Sequence, residues 1–238
     1  MSYRCAKLIV MEAQKIVPYI LPSEMAKQGK VEFDGSLQSL KQGDWIICRN
    51  LRPLVATYLW LIKNKIKSKI KGVEIGEGLI QMVQKTDAKT ISQLEIKLDN
   101  EIEKLYNKLA DKGVSKPMQH PKMDLLNQKI EVLTYLMAEV ETVDKLIKLL
   151  KSIFSDTVEG IMLMTIHKSK GLENDRIFFL CPELIPSRFA TQPWQYQQER
   201  NLKYVAITRA KSELIYVRGD MFRNDLKSDL IIGNNEKR

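Results

Sequence analysis

The sequence predicts an α/β protein in which helices flank a parallel sheet and an all-helical segment is inserted. Short apolar runs typical of buried strands occur near both ends of the chain, and helical patterns follow or separate them. Between these two regions, apolar residues recur every three or four positions, as they do on helices that pack along one side. This order of elements predicts one discontinuous α/β domain around a helical block.

The N-terminal region alternates helical and strand patterns. Apolar spacing predicts a helix from residue 3 to about residue 29, which Pro18 and Pro22 should kink or split. The apolar run 45–48 is too short for a helix and fits a buried strand. Residues 54–62 fit a helix, so this region contains a strand followed by a helix, the building block of a parallel sheet.

Helical patterns fill the middle of the chain. Two amphipathic helices are predicted over 91–109 and 123–150, separated by a break around Gly113, Pro117 and Pro121. The sheet pattern then returns. Its elements are predicted strands at 161–164, 177–180 and 214–217, with a helix over 195–210.

Lysine occupies every second position from Lys63 to Lys71. A solvated strand edge accounts for this alternation, and a track for DNA phosphates is the alternative that also fits.

The composition is that of a globular chain with an excess of positive charge. Apolar residues make up 44% and charged residues 28% of the 238 positions, which excludes a largely disordered chain. The net charge of +9 favours a polyanionic partner such as nucleic acid. No apolar run approaches the roughly 18 residues of a membrane span, and the start has no secretion-signal pattern. We therefore expect a cytoplasmic protein without a membrane partner.

Two segments carry side chains that are suited to catalysis or ligand binding. Residues 165–173 follow a predicted strand and place polar, small and basic residues at its carboxyl end, where open parallel sheets usually bind ligands. Tyr204 and Arg209 stand among small residues on a predicted helix. The same residues also fit polar strand and helix ends that merely cover a sheet. Three scattered cysteines and two histidines make a metal site unexpected.

These strings resemble motifs of the UvrD/Rep/PcrA-type superfamily 1 DNA helicases. Residues 165–173 resemble motif V and residues 199–210 resemble motif VI, at the family's spacing. Tyr3-Arg4 before a helix is similar to the end of motif IV, and residues 44–55 resemble the next conserved strand and helix. The resemblance implies the C-terminal part of such a helicase, with a RecA-like (P-loop NTPase-type) fold.

The resemblance also implies a domain organisation. Residues 1–85 and 155–220 would form the second RecA-like motor domain, and 86–154 a reduced form of the helical accessory insertion. The composition after Arg218 is polar, so we expect residues 221–238 to be a polar tail.

In that family ATP lies between two RecA-like domains and single-stranded DNA crosses both. The resemblance implies that Arg4 and Arg209 are catalytic and reach the γ-phosphate from across the cleft. A planar, permanently charged guanidinium suits that task. The resemblance further implies that Tyr3 stacks on the adenine and that Glu173 accepts a hydrogen bond from the ribose.

For DNA, the resemblance assigns Thr165 and His167 to the bound strand. Arg49 and Asn50 are further DNA-binding candidates, although the asparagine that relatives place there falls on Leu51 in this sequence.

The sequence lacks the G-x-x-x-x-G-K-[ST] loop and an Asp-Glu pair for magnesium. The resemblance places both in the N-terminal RecA-like domain, so we expect that domain of the same protein to bind most of the ATP and Mg²⁺. The expected partners are that domain and single-stranded DNA. We expect negligible ATP hydrolysis by this chain alone and a parent helicase that moves 3′ to 5′. The alternative is a non-enzymatic DNA- or protein-binding module.

Overall fold

The computed structural model describes residues 1–155 and 160–227, which form six strands and eight α-helices. The strands are β1 (Lys30–Glu32), β2 (Trp45–Cys48), β3 (Ser68–Ile70), β4 (Ile161–Thr165), β5 (Asn174–Leu180) and β6 (Ala210–Val217). The helices are α1 (Lys7–Gln14), α2 (Leu51–Lys63), α3 (Val73–Lys85), α4 (Ile91–Ala110), α5 (Pro121–Met137), α6 (Val143–Ile153), α7 (Pro193–Ile207) and α8 (Gly219–Asp225).

The six strands form one parallel sheet in the order β1-β6-β5-β2-β4-β3. In the middle of the sheet, Cys48 at the end of β2 lies opposite Thr165 on one side and Leu180 on the other. A parallel sheet covered on both faces needs strands that are apolar throughout, as β2 and the second half of β5 are. The predicted fold class, an α/β sheet flanked by helices, is confirmed.

Successive strand residues point to opposite faces and enter two apolar cores. Ile47 and Phe179 pack in the core that contains α1 and the end of α7. Ile46 and Phe178 pack in the other core, which contains α2 and residues of all four helices from α3 to α6. The helical block therefore shares its core with one face of the sheet.

The N-terminal helix is shorter than predicted. It ends at Gln14, and the prediction of a helix reaching residue 29 is wrong. The Gln14 side-chain amide donates to the Ile20 carbonyl at 2.8 Å, and the following chain folds back so that Ser2 pairs with Pro22. Pro18 lacks the N–H that a continuing helix would need, so the chain turns here.

The prediction of one helix over residues 123–150 is also wrong. α5 ends at Met137 and α6 starts at Val143 after a cap in which the Thr142 hydroxyl accepts from the Lys145 N–H at 3.2 Å. The apolar period continues on both sides of this break, so periodicity does not reveal it.

Sequence patterns did not give bounds for β1, β3 or α3, although the lysine alternation indicated a solvated edge around β3. β3 is an edge strand in which Ser68 and Ile70 are buried while Lys69 is partly exposed. The lysine alternation thus includes a sheet edge, as the solvated-edge interpretation expects, and the DNA-track alternative is not tested. α3 falls within the range 1–85 and joins the core of the helical block, while the proposed domain limits stay predictions.

The segment predicted as a polar tail begins within α8. The Asp225 carboxylate accepts from the Ser36 hydroxyl and from the Leu37 N–H, both at 2.7 Å, and so attaches α8 near β1. The rest of the predicted tail, residues 228–238, lies outside the described residues. In the described part of the chain, no helix combines the length and apolar character needed to cross a bilayer.

Candidate functional site

The residues selected by the motifs lie at opposite ends of the parallel strands. These ends are called the amino edge and the carboxyl edge of the sheet. Glu173 directly precedes β5 and Arg209 directly precedes β6, so both lie at the amino edge of these strands. Four others end or follow β2 and β4 at the carboxyl edge: Arg49, Asn50, Thr165 and His167.

One connection, residues 166–173, runs between the two edges. Because β4 and β5 are parallel, the chain must return from the carboxyl edge to the amino edge between them. Ser169, in the middle, is fully buried; its N–H donates to the Thr165 carbonyl at 3.0 Å and its hydroxyl to the Ile166 carbonyl at 2.7 Å. The expectation that this whole segment lies at the carboxyl end holds for Thr165 but not for Glu173.

At the amino edge, Arg209 is 7% exposed and held by the backbone around it. Its guanidinium donates to the carbonyls of Val205 at 3.0 Å, Leu172 at 2.9 Å and Ser169 at 3.4 Å, and to the Thr208 hydroxyl at 3.2 Å. These bonds use four of the five N–H donors of an arginine. Arg209 therefore joins the end of α7 to the 166–173 connection.

Arg4 lies close to Arg209 on the same edge. It forms an ion pair with Glu173, and both partners are about half exposed. Burial lowers the pKa of Arg209, and the positive charge of Arg4 lowers it further. Tyr3 is 82% exposed next to this cluster. The structure thus brings three of the predicted ATP-site residues together and leaves the fourth open to solvent.

At the carboxyl edge, Thr165 ends β4 and His167 lies in the turn that follows. The Thr165 hydroxyl accepts from the Lys168 N–H at 3.3 Å, which fixes it within the turn. His167 lies at the surface, but neighbouring protein atoms exclude water from part of its ring. This desolvation lowers the pKa of His167, Arg49 lowers it further, and Glu199 opposes both.

Arg49 points into the protein. Its guanidinium binds the Glu199 carboxylate through two hydrogen bonds, of 2.9 and 3.1 Å, and lies 3.5 Å from the nearer oxygen of Asp124. It also donates to the Asn50 side-chain oxygen at 3.0 Å. Arg49 is close enough to His167 to affect its pKa, but the Arg49 guanidinium is hydrogen-bonded to Asn50, and the DNA contacts of both residues stay predictions.

Sequence reasoning gave no role to Glu199, Asp124 or Ser187. The Ser187 N–H donates to Glu199 at 2.9 Å and its hydroxyl to Asp124 at 3.4 Å. Glu199 begins the segment that resembles motif VI, which was the available signal. Asp124 lies 75 positions from Arg49 on a helix of the central block, and no local pattern connects the two.

A polar cleft of about 310 Å³ lies between α5 and the connection after β5, with Asn50, Arg52 and Ser187 in its wall. Across residues 1–155 and 160–227, no group of three or more His, Cys, Asp or Glu side chains could hold a metal ion.

Several known proteins are similar to this chain in sequence. The sequence model of the UvrD-like helicase C-terminal domain matches residues 55–218. The chain is 31% identical over 214 residues to the ATP-dependent DNA helicase PcrA of Staphylococcus aureus strain Mu50, covering 86% of this chain and 26% of that protein. It is 36% identical over 91 residues to the probable DNA helicase II homolog of Mycoplasma capricolum, covering 35% and 13%. The chain thus spans only a minor part of these relatives.

A solved structure also resembles the chain: the C-terminal domain of a possible DNA helicase from Lactobacillus plantarum WCFS1. The match covers 92% of this chain and 88% of that one, at 15% identity and a TM-score of 0.29. A likeness this loose supports no argument about the site.

Proposed function

We propose that this chain, which belongs to the family of UvrD-like helicase C-terminal domains, is the second motor half of an ATP-dependent DNA helicase. In this role it supplies arginines to an ATP site shared with an N-terminal RecA-like domain of the same protein. It also supplies part of the track for single-stranded DNA. The observation that carries the proposal is the pairing of Arg4 and Arg209 at one edge of the sheet.

Two neighbouring guanidinium groups favour an anionic ligand. Burial and the charge of Arg4 both disfavour the charged form of Arg209, and a polyphosphate between the two arginines would relieve that repulsion. Four internal hydrogen bonds hold Arg209 in place and leave one of its five N–H donors for a phosphate oxygen. Arg4 is exposed enough to exchange Glu173 for a phosphate oxygen.

The other ATP contacts are assigned from the same edge. Tyr3 offers an exposed ring for the adenine, and Glu173, once released by Arg4, offers an acceptor for the ribose. The chain has no phosphate-cradling loop. Binding of Mg²⁺, which would help to neutralise the phosphate charge, is therefore assigned to the N-terminal domain.

The DNA strand is assigned to the opposite, carboxyl edge. Thr165 ends β4 there and His167 follows it, and the net charge of +9 favours a polyanion. The proposed 3′ to 5′ direction of movement rests on the motif resemblance. A helicase assay with duplexes that carry either a 3′ or a 5′ single-stranded tail tests it.

The second candidate is a DNA- or protein-binding module without motor function. The Arg4–Glu173 ion pair favours it, because each group satisfies the other without a nucleotide.

DNA-stimulated ATP hydrolysis by the full-length parent protein separates the two. Arg4→Ala should lower turnover by about two orders of magnitude or more if Arg4 meets the γ-phosphate. Arg218→Ala, which removes an exposed arginine paired with Asp34, is the matched control and should leave turnover unchanged. A parent protein without ATPase activity would favour the module. Turnover that survives Arg4→Ala would instead show that Arg4 is not the arginine that meets the γ-phosphate.

A further inference from the structure

Arg49 sits at the centre of a ring of hydrogen bonds that joins three parts of the chain. Its guanidinium contacts Glu199 on α7 and Asp124 on α5. Ser187, in the connection after β5, closes the ring by donating to both of these carboxylates. The Asp124 carboxylate also accepts from the Gln128 amide at 2.9 Å, one turn further along α5.

The charges in this ring are largely removed from water. The Arg49, Glu199 and Asp124 side chains are 9%, 12% and 15% exposed. If Arg49 turned outward to a DNA phosphate, two carboxylates would be left close together without their cation. Breaking a buried pair in this way is strongly unfavourable, much more than breaking a surface pair. Arg49 is therefore poorly suited to be a DNA contact.

The ring also contacts α7 near the middle of this helix, whose C-terminal half leads toward Arg209 at the other edge of the sheet. Glu199 lies in the first half of α7, and about 12 Å of helix separates it from Ile207 at the end. Arg209 follows directly and is bonded to the carbonyls of the 166–173 connection. A shift of α7 at the Arg49 ring would therefore also displace Arg209.

We infer that Arg49 is a positioning residue that acts through Glu199 and Asp124 to hold α7 and the helical block in one fixed relation to the sheet. His167 lies beside the ring, so the same contact sets the electrostatic surroundings of the predicted DNA-binding turn. The consequence for DNA and ATP rests on the proposed function. The link that Arg49 makes between α7, α5 and the sheet, called the tie below, does not.

Amide hydrogen exchange on the intact chain tests the tie. Arg49→Gln and Glu199→Gln should each speed exchange at least tenfold in the second turn of α5, around Gln128, and in α7. Asp124→Asn should do so in α5 alone. Arg218→Gln is the matched control, because Arg218 is an exposed arginine paired with Asp34 and Asp220, which belong to neither helix, and it should leave both helices unchanged.

A lysine at position 49 keeps the charge but lacks the planar fork that binds a carboxylate through two bonds. Arg49→Lys should therefore restore protection only in part, and it provides a folded variant if Arg49→Gln does not fold. Unchanged exchange in both helices for Arg49→Lys and Glu199→Gln would overturn the inference.

The NMR signal of the His167 imidazole reports its pKa. A general loss of packing would shift this pKa in the same direction in both variants, whereas loss of a positive or a negative neighbour shifts it in opposite directions. The chain has two histidines, so NMR resolves His167 against His120. Arg49→Gln should raise the pKa of His167, because a nearby positive charge is lost, and Glu199→Gln should lower it. Shifts in the same direction for both variants would contradict the assigned geometry.

Single-stranded DNA binding distinguishes a positioning residue from a DNA contact. If Arg49 acts through Glu199, then Arg49→Gln and Glu199→Gln both weaken binding. If Arg49 binds a phosphate, Glu199→Gln frees it and tightens binding, while Arg49→Gln lowers the salt slope by about one. That second pattern would overturn the inference and leave the proposed function intact. Absence of binding in every variant, the unmodified chain included, would contradict the proposed DNA role, and hydrogen exchange would still decide the tie.

Discussion

Replacing Arg209 by alanine should destabilise the chain far more than replacing Arg4, although both are assigned to the same phosphate. Arg209 donates four hydrogen bonds within the protein, three of them to backbone carbonyls. Each bond contributes about 1 to 1.5 kcal/mol, and water reaching the carbonyls offsets part of the loss, so the free energy of unfolding should fall by about 3 kcal/mol. Arg4 forms a half-exposed ion pair with Glu173, which is worth about 1 kcal/mol or less.

Urea unfolding of the 238-residue chain measures both losses. In a thermal scan, 3 kcal/mol corresponds to a melting temperature lower by about 6 to 12 °C for a domain of this size. Arg209→Lys keeps the positive charge without the fork of donors, so its loss should fall between those of the two alanine variants. Equal midpoints for Arg209→Ala and Arg4→Ala would refute the view that Arg209 holds the 166–173 connection. A lower rate in Arg209→Ala can be assigned to catalysis only after this loss of stability is measured.

Three further outcomes are expected. The folded state lowers the pKa of His167 below its ordinary 6.5, so the unfolded chain binds more protons near that pH; stability should therefore fall as the pH drops through 6.5, and His167→Gln should reduce that fall in urea titrations at pH 5 and 8. Thr142→Ala removes the cap of α6 and should cost about 1 kcal/mol of unfolding free energy, whereas Thr142→Ser should cost much less; equal losses would show that the hydroxyl does not cap the helix. Burial raises the pKa of Cys48 to about 12, and Cys5 and Cys181 are also buried. A thiol reagent at pH 8 should therefore label all three cysteines only as fast as the chain unfolds. Rapid labelling of any of them would contradict this burial.

The central strands were predictable because their residues must be apolar on both faces. β2, β4, β5 and β6 all contain such runs, and each was found within a few residues of its predicted position. β1 and β3 lie at the sheet edges with three residues each, and one side of an edge strand faces no partner. Lys30 and Lys69 are compatible with those positions, so hydrophobicity gives no signal there.

The candidate site was predictable only where it depends on local strings. Residues 165–173 and 199–210 identified the end of β4 with Thr165, the connection that leads to Glu173, and the helix that Arg209 follows. The Arg49–Asp124 contact depends instead on how α5 packs against the sheet, and no spacing within the sequence encodes it. Sequence patterns also treated the 165–173 segment as lying at one edge, because the crossing from β4 to β5 follows only from their parallel order in the sheet.

The 166–173 connection gives the chain a covalent link only eight residues long between its two proposed ligand sites. With Ser169 buried and bonded to the turn before it, little slack is available to absorb a displacement of either end. A displacement of the backbone at the proposed nucleic-acid side would thus also move the carbonyls that accept hydrogen bonds from the Arg209 guanidinium. The same 166–173 connection would then couple the nucleic-acid side to the Arg209 guanidinium, and no separate hinge would be needed.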